Sequence, residues 1–238
     1  MNNTLTIAWR EYRAYFTSPI AYVYLTVFLV AVNWLFFRGF FIMGEASMRE
    51  LYDMLPWIFL FFVPCVTMGK WAEERRQGTL EIILTLPVRD IEIVIGKFLA
   101  SLSLIATALA LTLPAALTVA LIGNMDWGPV VGGYAGALLL AGAYVSLGLL
   151  VSSFTDSQII AFIGGVATIF IMLIIGTSFV IGTAGTPWSK IVAYLGLGTH
   201  FVSLSRGVID SRDVIYYLSF MTLFIYLNFK IVGSRARR

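Results

Sequence analysis

The chain alternates long apolar runs with short polar breaks. A helix that crosses a bilayer needs roughly 20 mostly apolar residues, and six stretches are read as spans: 20–37, 54–69, 98–122, 130–153, 159–182 and 214–232. Pro19 sits where a helix start tolerates proline. The second stretch is short and carries Pro56 and Pro64, which predicts a kink, and the third is interrupted by Pro114. The pattern predicts an all-α integral membrane protein whose six spans and connections occupy residues 20–238.

Ahead of the first run, "NNTLTIAWREYRAYFTSP" has helical periodicity. Leu5, Ala8, Trp9, Tyr12 and Phe16 fall on one face, while Thr6, Arg10, Arg13 and Thr17 fall on another. Such a helix, here residues 1–19, lies in the membrane surface. Two roles remain open for Trp9, Arg10, Tyr12, Arg13 and Phe16: anchoring the chain, or packing against a cytoplasmic partner as well.

Composition agrees with a membrane protein. Of 238 residues, 59% are hydrophobic and 12% charged, where soluble domains have about a quarter charged. The single cysteine, Cys65, excludes a disulfide within the chain. No signal-peptide pattern precedes the first run. Lys and Arg are biased toward one side. With both termini inside, the inner segments hold Arg10, Arg13, Lys70, Arg75, Arg76, Arg89, Lys97, Lys230, Arg235, Arg237 and Arg238. The outer segments hold only Arg38, Arg49, Lys190, Arg206 and Arg212. The positive-inside rule then places both termini in the cytoplasm.

One polar segment stands out. Residues 70–97, "KWAEERRQGTLEIILTLPVRDIEIVIGK", hold ten charged residues between two apolar runs. Glu73, Glu74, Arg75 and Arg76 extend the second span and are able to pair along a helix or across to a partner. Gly78 breaks that helix, and Thr79 is a candidate N-cap for "LEIILTL", which stops before Pro87. Leu80, Ile83 and Leu84 share one face of this short helix. Asp90 is a candidate cap for the next helix, with Glu92 in its first turn. The segment reads either as an interfacial helix buried among lipid headgroups or as a knob seated in a cytoplasmic partner.

A second segment also departs from simple spanning. Residues 183–212 join the fifth and sixth spans and contain "IVAYLGLGTHFVSLSRGVID", too apolar for a solvated loop and too rich in glycine to span. Short re-entrant or interfacial helices are expected there, with Asp213 capping the last helix. In the fourth span, Gly132 and Gly136 have the spacing that lets helices approach closely, and packing within one subunit is favoured over a dimer contact.

Catalytic chemistry finds little footing. The spans are nearly bare of the ionisable groups an intramembrane enzyme or proton-coupled carrier needs. His200 is the only histidine, so a multi-histidine metal site is excluded. Ser203 lies one turn from His200 with no third group to orient a nucleophile. Gly69-Lys70 and Gly96-Lys97 lack the remainder of a phosphate-binding loop.

"EERRQGTLEIILTLPV", followed by "GKFLA", resembles the cytoplasmic loop of ABC type 2 transporter permeases, most of all the subgroup with the gliding-motility and nitrous-oxide-reductase-maturation permeases. "THFVSLSRGVIDSRDVIYYLSF" resembles that subgroup's segment before its last helix. The resemblance implies an exporter-type permease of the bacterial inner membrane that is not itself an enzyme. It implies a coupling helix docked on an ATPase subunit through Glu73, Glu74, Arg75, Arg76, Gly78, Thr79, Leu80, Glu81, Leu84 and Pro87. ATP and Mg would be bound by that ATPase, with no cofactor, metal or catalytic residue in this chain. Two ATPase copies, a second permease and the lipid bilayer are the implied partners, with no nucleic acid. An accessory membrane protein with a large outer domain would dock on the outer segment, where His200, Phe201, Arg206 and Asp210 lie. The alternative is an ATPase-coupled mechanical subunit that acts on envelope proteins and moves no substrate. Transport predicts a continuous cavity between the two permease subunits, lined by faces of the first, second and fifth spans; mechanical work predicts a closed, tightly packed dimer seam.

Overall fold

The computed structural model describes residues 3–45, 47–80, 88–176 and 194–235. Among them the chain is helical: α1 (Asn3–Thr17), α2 (Pro19–Met43), α3 (Arg49–Thr67), α4 (Gly69–Arg76), α5 (Asp90–Ala110), α6 (Leu113–Ile122), α7 (Trp127–Ser152), α8 (Gln158–Ile174), α9 (Leu197–Ser205) and α10 (Ser211–Arg235). Five stretches are long and apolar enough to cross a membrane: Pro19–Ile42, Arg49–Arg76, Asp90–Ile122, Trp127–Ser152 and Ser211–Ser234. The fifth expected span, 159–182, begins as the shorter apolar helix α8, and its last residues lie outside those described.

Local chemistry explains the boundaries. The Ser18 hydroxyl accepts from Ile20 N at 3.4 Å, Pro19 opens α2, and Gly44 closes it in the left-handed region at φ 66°. Pro114 has no N–H to donate, and the run from Asp90 to Ile122 breaks there into α5 and α6. The Thr112 hydroxyl fills part of the gap by donating to Leu109 O at 2.7 Å. Asp126 caps α7, its carboxylate accepting from Gly128 N at 3.0 Å. Two expected caps fall elsewhere. The N-cap of α5 is Arg89, and Glu92 reaches back to accept from Arg89 N at 3.2 Å, so Asp90 sits inside the first turn. At α10 the Asp210 carboxylate accepts from Arg212 N at 3.0 Å, which leaves Asp213 for another role.

The centre of the bundle is α7, packed by α3, α5, α8, α9 and α10. Its glycines make that possible. A Cβ on Gly133 would stand 2.4 Å from the Tyr52 ring, and one on Gly136 would stand 2.7 Å from Leu204 Cβ. Gly132 meets Gly207 and Leu204 in the same way. The small-residue face of the fourth span is therefore used inside this subunit, as its spacing suggested. Outward, α2 exposes Ile20, Val23, Val27, Val30 and Trp34, and α10 exposes Ile215, Leu218 and Leu223. Apolar surface on this scale belongs against lipid.

The N-terminal helix departs from its expected orientation. It docks along α5, from Asn3 beside Glu92 to Tyr12, whose hydroxyl lies 2.9 Å from Thr107 Oγ1. Leu5 and Trp9 face outward, while Ala8 is buried and Ile7 and Tyr15 pack on the core. The docked face is thus turned from the predicted one. Periodicity found the apolar positions but could not tell lipid-facing from protein-facing ones.

Candidate functional site

The distinctive chemistry lies where α4 leaves α3. Continuing the apolar helix beyond Thr67 carries Lys70, Glu73, Glu74 and Arg75 outward on successive faces, and each face meets a different neighbour. Lys70 Nζ donates to Glu11 Oε2 of α1 at 2.9 Å and lies 3.9 Å from the Tyr15 ring centroid. Glu74 Oε1 accepts from Lys97 of α5. Lys97 Nζ is also 3.7 Å from Glu11 Oε1 and 5.0 Å from the Trp71 ring centroid. Glu11 therefore bridges two lysines from two helices, and the four charges sum to zero.

Burial makes this cluster consequential. The Lys97 side chain is 2% exposed, and those of Glu11 and Lys70 are nearly as enclosed. Burial alone would push the Glu11 carboxyl upward, but the Lys97 and Lys70 ammoniums overcome it and hold the group at about 2. Removing one partner from such a set strands a charge in a poorly solvated place, a cost of roughly 3–5 kcal/mol. Glu74 Oε2 finds no hydrogen-bond donor among the described residues, so its carboxylate depends on Lys97.

The other face of α4 is tied to the end of α7 and the start of α8. Ser152 Oγ accepts from Trp71 N at 3.2 Å and Ala72 N at 3.3 Å, and donates to Met68 O at 2.8 Å. These bonds serve backbone groups at the junction of α3 and α4. Arg75 pairs with Asp156 at 3.0 Å and donates to Ser153 O. Gln158, the first residue of α8, donates to Glu73. Four neighbours, α1, α5, α7 and α8, are thereby fastened to one eight-residue helix.

The residues expected to meet a partner fall into three groups. Glu73, Glu74 and Arg75 have partners on other helices or loops of the chain, whereas Arg76, with a side chain 68% exposed, pairs with Glu73 one turn back. Gly78 makes the turn at φ 69°. The Thr79 hydroxyl donates back to Glu74 O at 3.1 Å, and the helix expected to follow it runs on into residues outside those described. Leu80 is buried in the chain's own core rather than presented outward. Glu81, Leu84 and Pro87 lie outside the described residues. On α1, Arg10 and Arg13 are exposed, and Tyr12 and Phe16 meet edge to face at 5.1 Å. Near α9, His200 and Phe201 are buried while Arg206 and Asp210 are exposed.

Sequence reading missed Glu11, the partner role of Lys97, and Asp156. The available signal was Glu11 itself, a lone acid on a helix otherwise charged by arginines. Gly96 was a second, because a Cβ there would stand 2.6 Å from Ile7 Cγ2. That close approach of α1 to α5 is what brings Glu11 to Lys97.

Residues 65–232 match the family model described as ABC-2 family transporter protein, more than two thirds of the chain. The chain belongs to the ABC-2 transporter family. The match covers α4, Lys97, α7 and the His200 region, and leaves α1 with Glu11, α2 and most of α3 outside it. No curated protein is similar enough to count as a match. As an ABC-2 permease, the protein is a multi-pass membrane subunit of an ABC transporter, and membership implies an ATPase partner. Subunits of this family are not themselves catalytic.

A groove adjoins the hub. A cavity of about 760 Å³ opens between α2, α3 and α8, with Val23, Val27, Phe61 and Phe62 along it and Lys70, Glu73 and Gln158 at one end.

Proposed function

We propose that this ABC-2 permease is the exporter-type membrane half of an ATP-driven transporter of the bacterial inner membrane, of the gliding-motility and nitrous-oxide-reductase-maturation kind. Both termini lie in the cytoplasm, and α8 forms part of the fifth of six spans. The loop of residues 70–97 receives force from two ATPase subunits, which bind ATP and Mg. A second permease completes the pathway, and an accessory protein with an outer domain docks near Arg206 and Asp210.

The observation that carries this reading is the hub. A helix pushed from outside the bundle moves the spans only if it is fastened to them more firmly than to solvent. Here α4 is continuous with α3 and bonded through Lys70, Glu73, Glu74 and Arg75 to α1, α5, α7 and α8. Displacement of α4 is therefore shared among helices as a rigid-body motion. Since Glu73, Glu74 and Arg75 serve these internal ties, partner recognition falls to Arg76 and to the residues after Gly78, Leu84 among them. The cavity beside α2, α3 and α8 lies on the spans that a pathway between two permeases would use, which supports the translocation reading.

The test is purification of the tagged chain from native membranes in mild detergent, with Leu84→Asp and Glu11→Gln alongside. A phosphate-loop ATPase is expected with the wild type. Leu84→Asp should lose it, whereas Glu11→Gln should keep it but uncouple ATP hydrolysis from transport. Wild-type chain that emerges alone under several mild conditions overturns the reading.

A further inference from the structure

At the far end of α7 from the hub, one side chain holds three segments together. His200 on α9 is 7% exposed. Its Nδ1 lies 2.7 Å from Asp213 Oδ1 in the first turn of α10, and its Nε2 lies 2.9 Å from the Tyr194 carbonyl oxygen. The ring stacks on Tyr216, centroids 3.9 Å apart and planes within 21°, and meets the Tyr194 ring edge-on at 5.0 Å. The Tyr216 and Tyr217 hydroxyls are engaged, donating to Leu195 O and Leu197 O at 2.7 Å each.

Both atoms facing the imidazole nitrogens are acceptors. A neutral imidazole has one N–H and one lone pair, so at one nitrogen it would set lone pair against lone pair. With the Asp213 carboxylate ionised, only the imidazolium satisfies both contacts. The surroundings agree with a cation: Asp213 supplies the opposite charge, and the Tyr216 ring presents its negative face. Asp213 is itself 7% exposed, and a buried carboxylate without a partner is costly. Among the described residues, the charged partner of the ring is Asp213. Helices α7 and α8 carry no charged residue, and on α3 Asp53 faces Arg49 and Arg206.

We propose that His200 is a proton-binding latch. Holding two protons, it fastens α9 to the first turn of α10 and to the segment entering α9. Loss of the Nε2 proton keeps the Asp213 contact but turns a lone pair toward the Tyr194 carbonyl and frees that segment. Helix α9 closes over the ends of its neighbours: Leu204 seats on Gly136 of α7, and Gly198 abuts Leu173 of α8. The latch therefore makes closure of this end of the bundle proton-dependent, held in acid and loosened as pH rises. One proton separates the two states, so opening increases by up to about tenfold per pH unit above the transition. This assignment stands on the geometry around α9 and does not rest on the ATPase-coupled reading.

The chain has a single histidine, so ring nitrogen NMR of histidine-labelled protein in lipid nanodiscs reports His200 alone. Both nitrogens are expected to be protonated in the latched state. Raising the pH should convert the ring to a neutral form protonated at Nδ1. Amide exchange of residues 194–205 should rise over the same interval, measured relative to α7 to cancel its intrinsic pH dependence. A neutral ring throughout the range in which α9 stays protected overturns the proposal, as does loss of the second proton with no change in α9 exchange. Asp213→Asn should move the proton loss to lower pH, and an unchanged titration in that variant also overturns it. If Asp213→Asn does not insert, the wild-type titration and exchange decide the matter alone.

Discussion

The end of the bundle that holds Lys70 and Lys97 is fastened by a cluster of long charged side chains, and the end that holds His200 by one short His–Asp contact set among rings, carbonyls and glycine contacts. At the first, long side chains from α1, α4 and α5 meet in a neutral cluster, and Lys97 is held by two carboxylates at once. Long ammonium and carboxylate side chains keep contact while helices shift by an ångström or more. At the second, α9 lies against Gly132 and Gly136 with no room for a Cβ, and Gly207 packs against Gly128 and Pro129. Such a contact is formed or broken rather than stretched. The difference suits an end that transmits motion and an end that switches between closed and open.

The largest test of this contrast is Lys97→Met, which leaves the Glu74 and Glu11 carboxylates buried with less compensation. It should cost about 3–5 kcal/mol, read as a drop in the thermal midpoint of detergent-purified protein. A change near zero would show that the cluster is solvated and the contrast false. Next comes Gly207→Ala. Its φ of 84° is unfavourable for an L side chain, and its Cβ would stand 2.8 Å from Pro129 N. Destabilisation of about 2–4 kcal/mol is expected, with increased exchange confined to α9 and the start of α10. Exchange spread evenly over the chain would instead mark a uniform bundle.

Acid separates the two ends by sign. Glu11 is held at about 2, below its usual 4.5. Its tie to the lysines is complete above the higher value and lost as pH falls through the lower one. A cysteine pair reporting the α1–α5 distance should therefore stay close to about pH 3 and separate near pH 2, while α9 remains latched. Separation already at pH 4–5 would remove Glu11 from the hub. The smallest effect is expected at Arg76→Ala, within about 0.5 kcal/mol, because Arg76 is exposed and pairs with Glu73 one turn back at the surface. The same substitution should weaken ATPase co-purification, distinguishing a residue offered to a partner from one holding the bundle.

Much of the fold was legible because lipid imposes a coarse rule. Length and hydropathy fell on five stretches long and apolar enough to cross, although the first three extend by more than a turn beyond the expected bounds at their polar ends. The polar segment 70–97 announced itself by charge density, and Gly78 and Asp126 did what their residue types suggest. Partner assignments were not legible. Glu73, Glu74 and Arg75 read as surface charges offered outward because nothing in a linear pattern shows that Lys97, Asp156 and Gln158 stand within reach.

The sequence by itself determined that the protein lives in a bilayer and which segments cross it, since each helix satisfies its own backbone and faces lipid according to composition. It also determined where polarity concentrates and which loop motif places the chain among ABC-2 permeases. Only the tertiary structure decided which charge meets which. Glu11 finds Lys70 and Lys97 at sequence separations of 59 and 86 because Gly96 lets α1 close on α5. His200 finds Asp213 because α9 folds back onto α10. Ion pairing depends on distance through space, and residues far apart in sequence acquire that distance only when the helices pack.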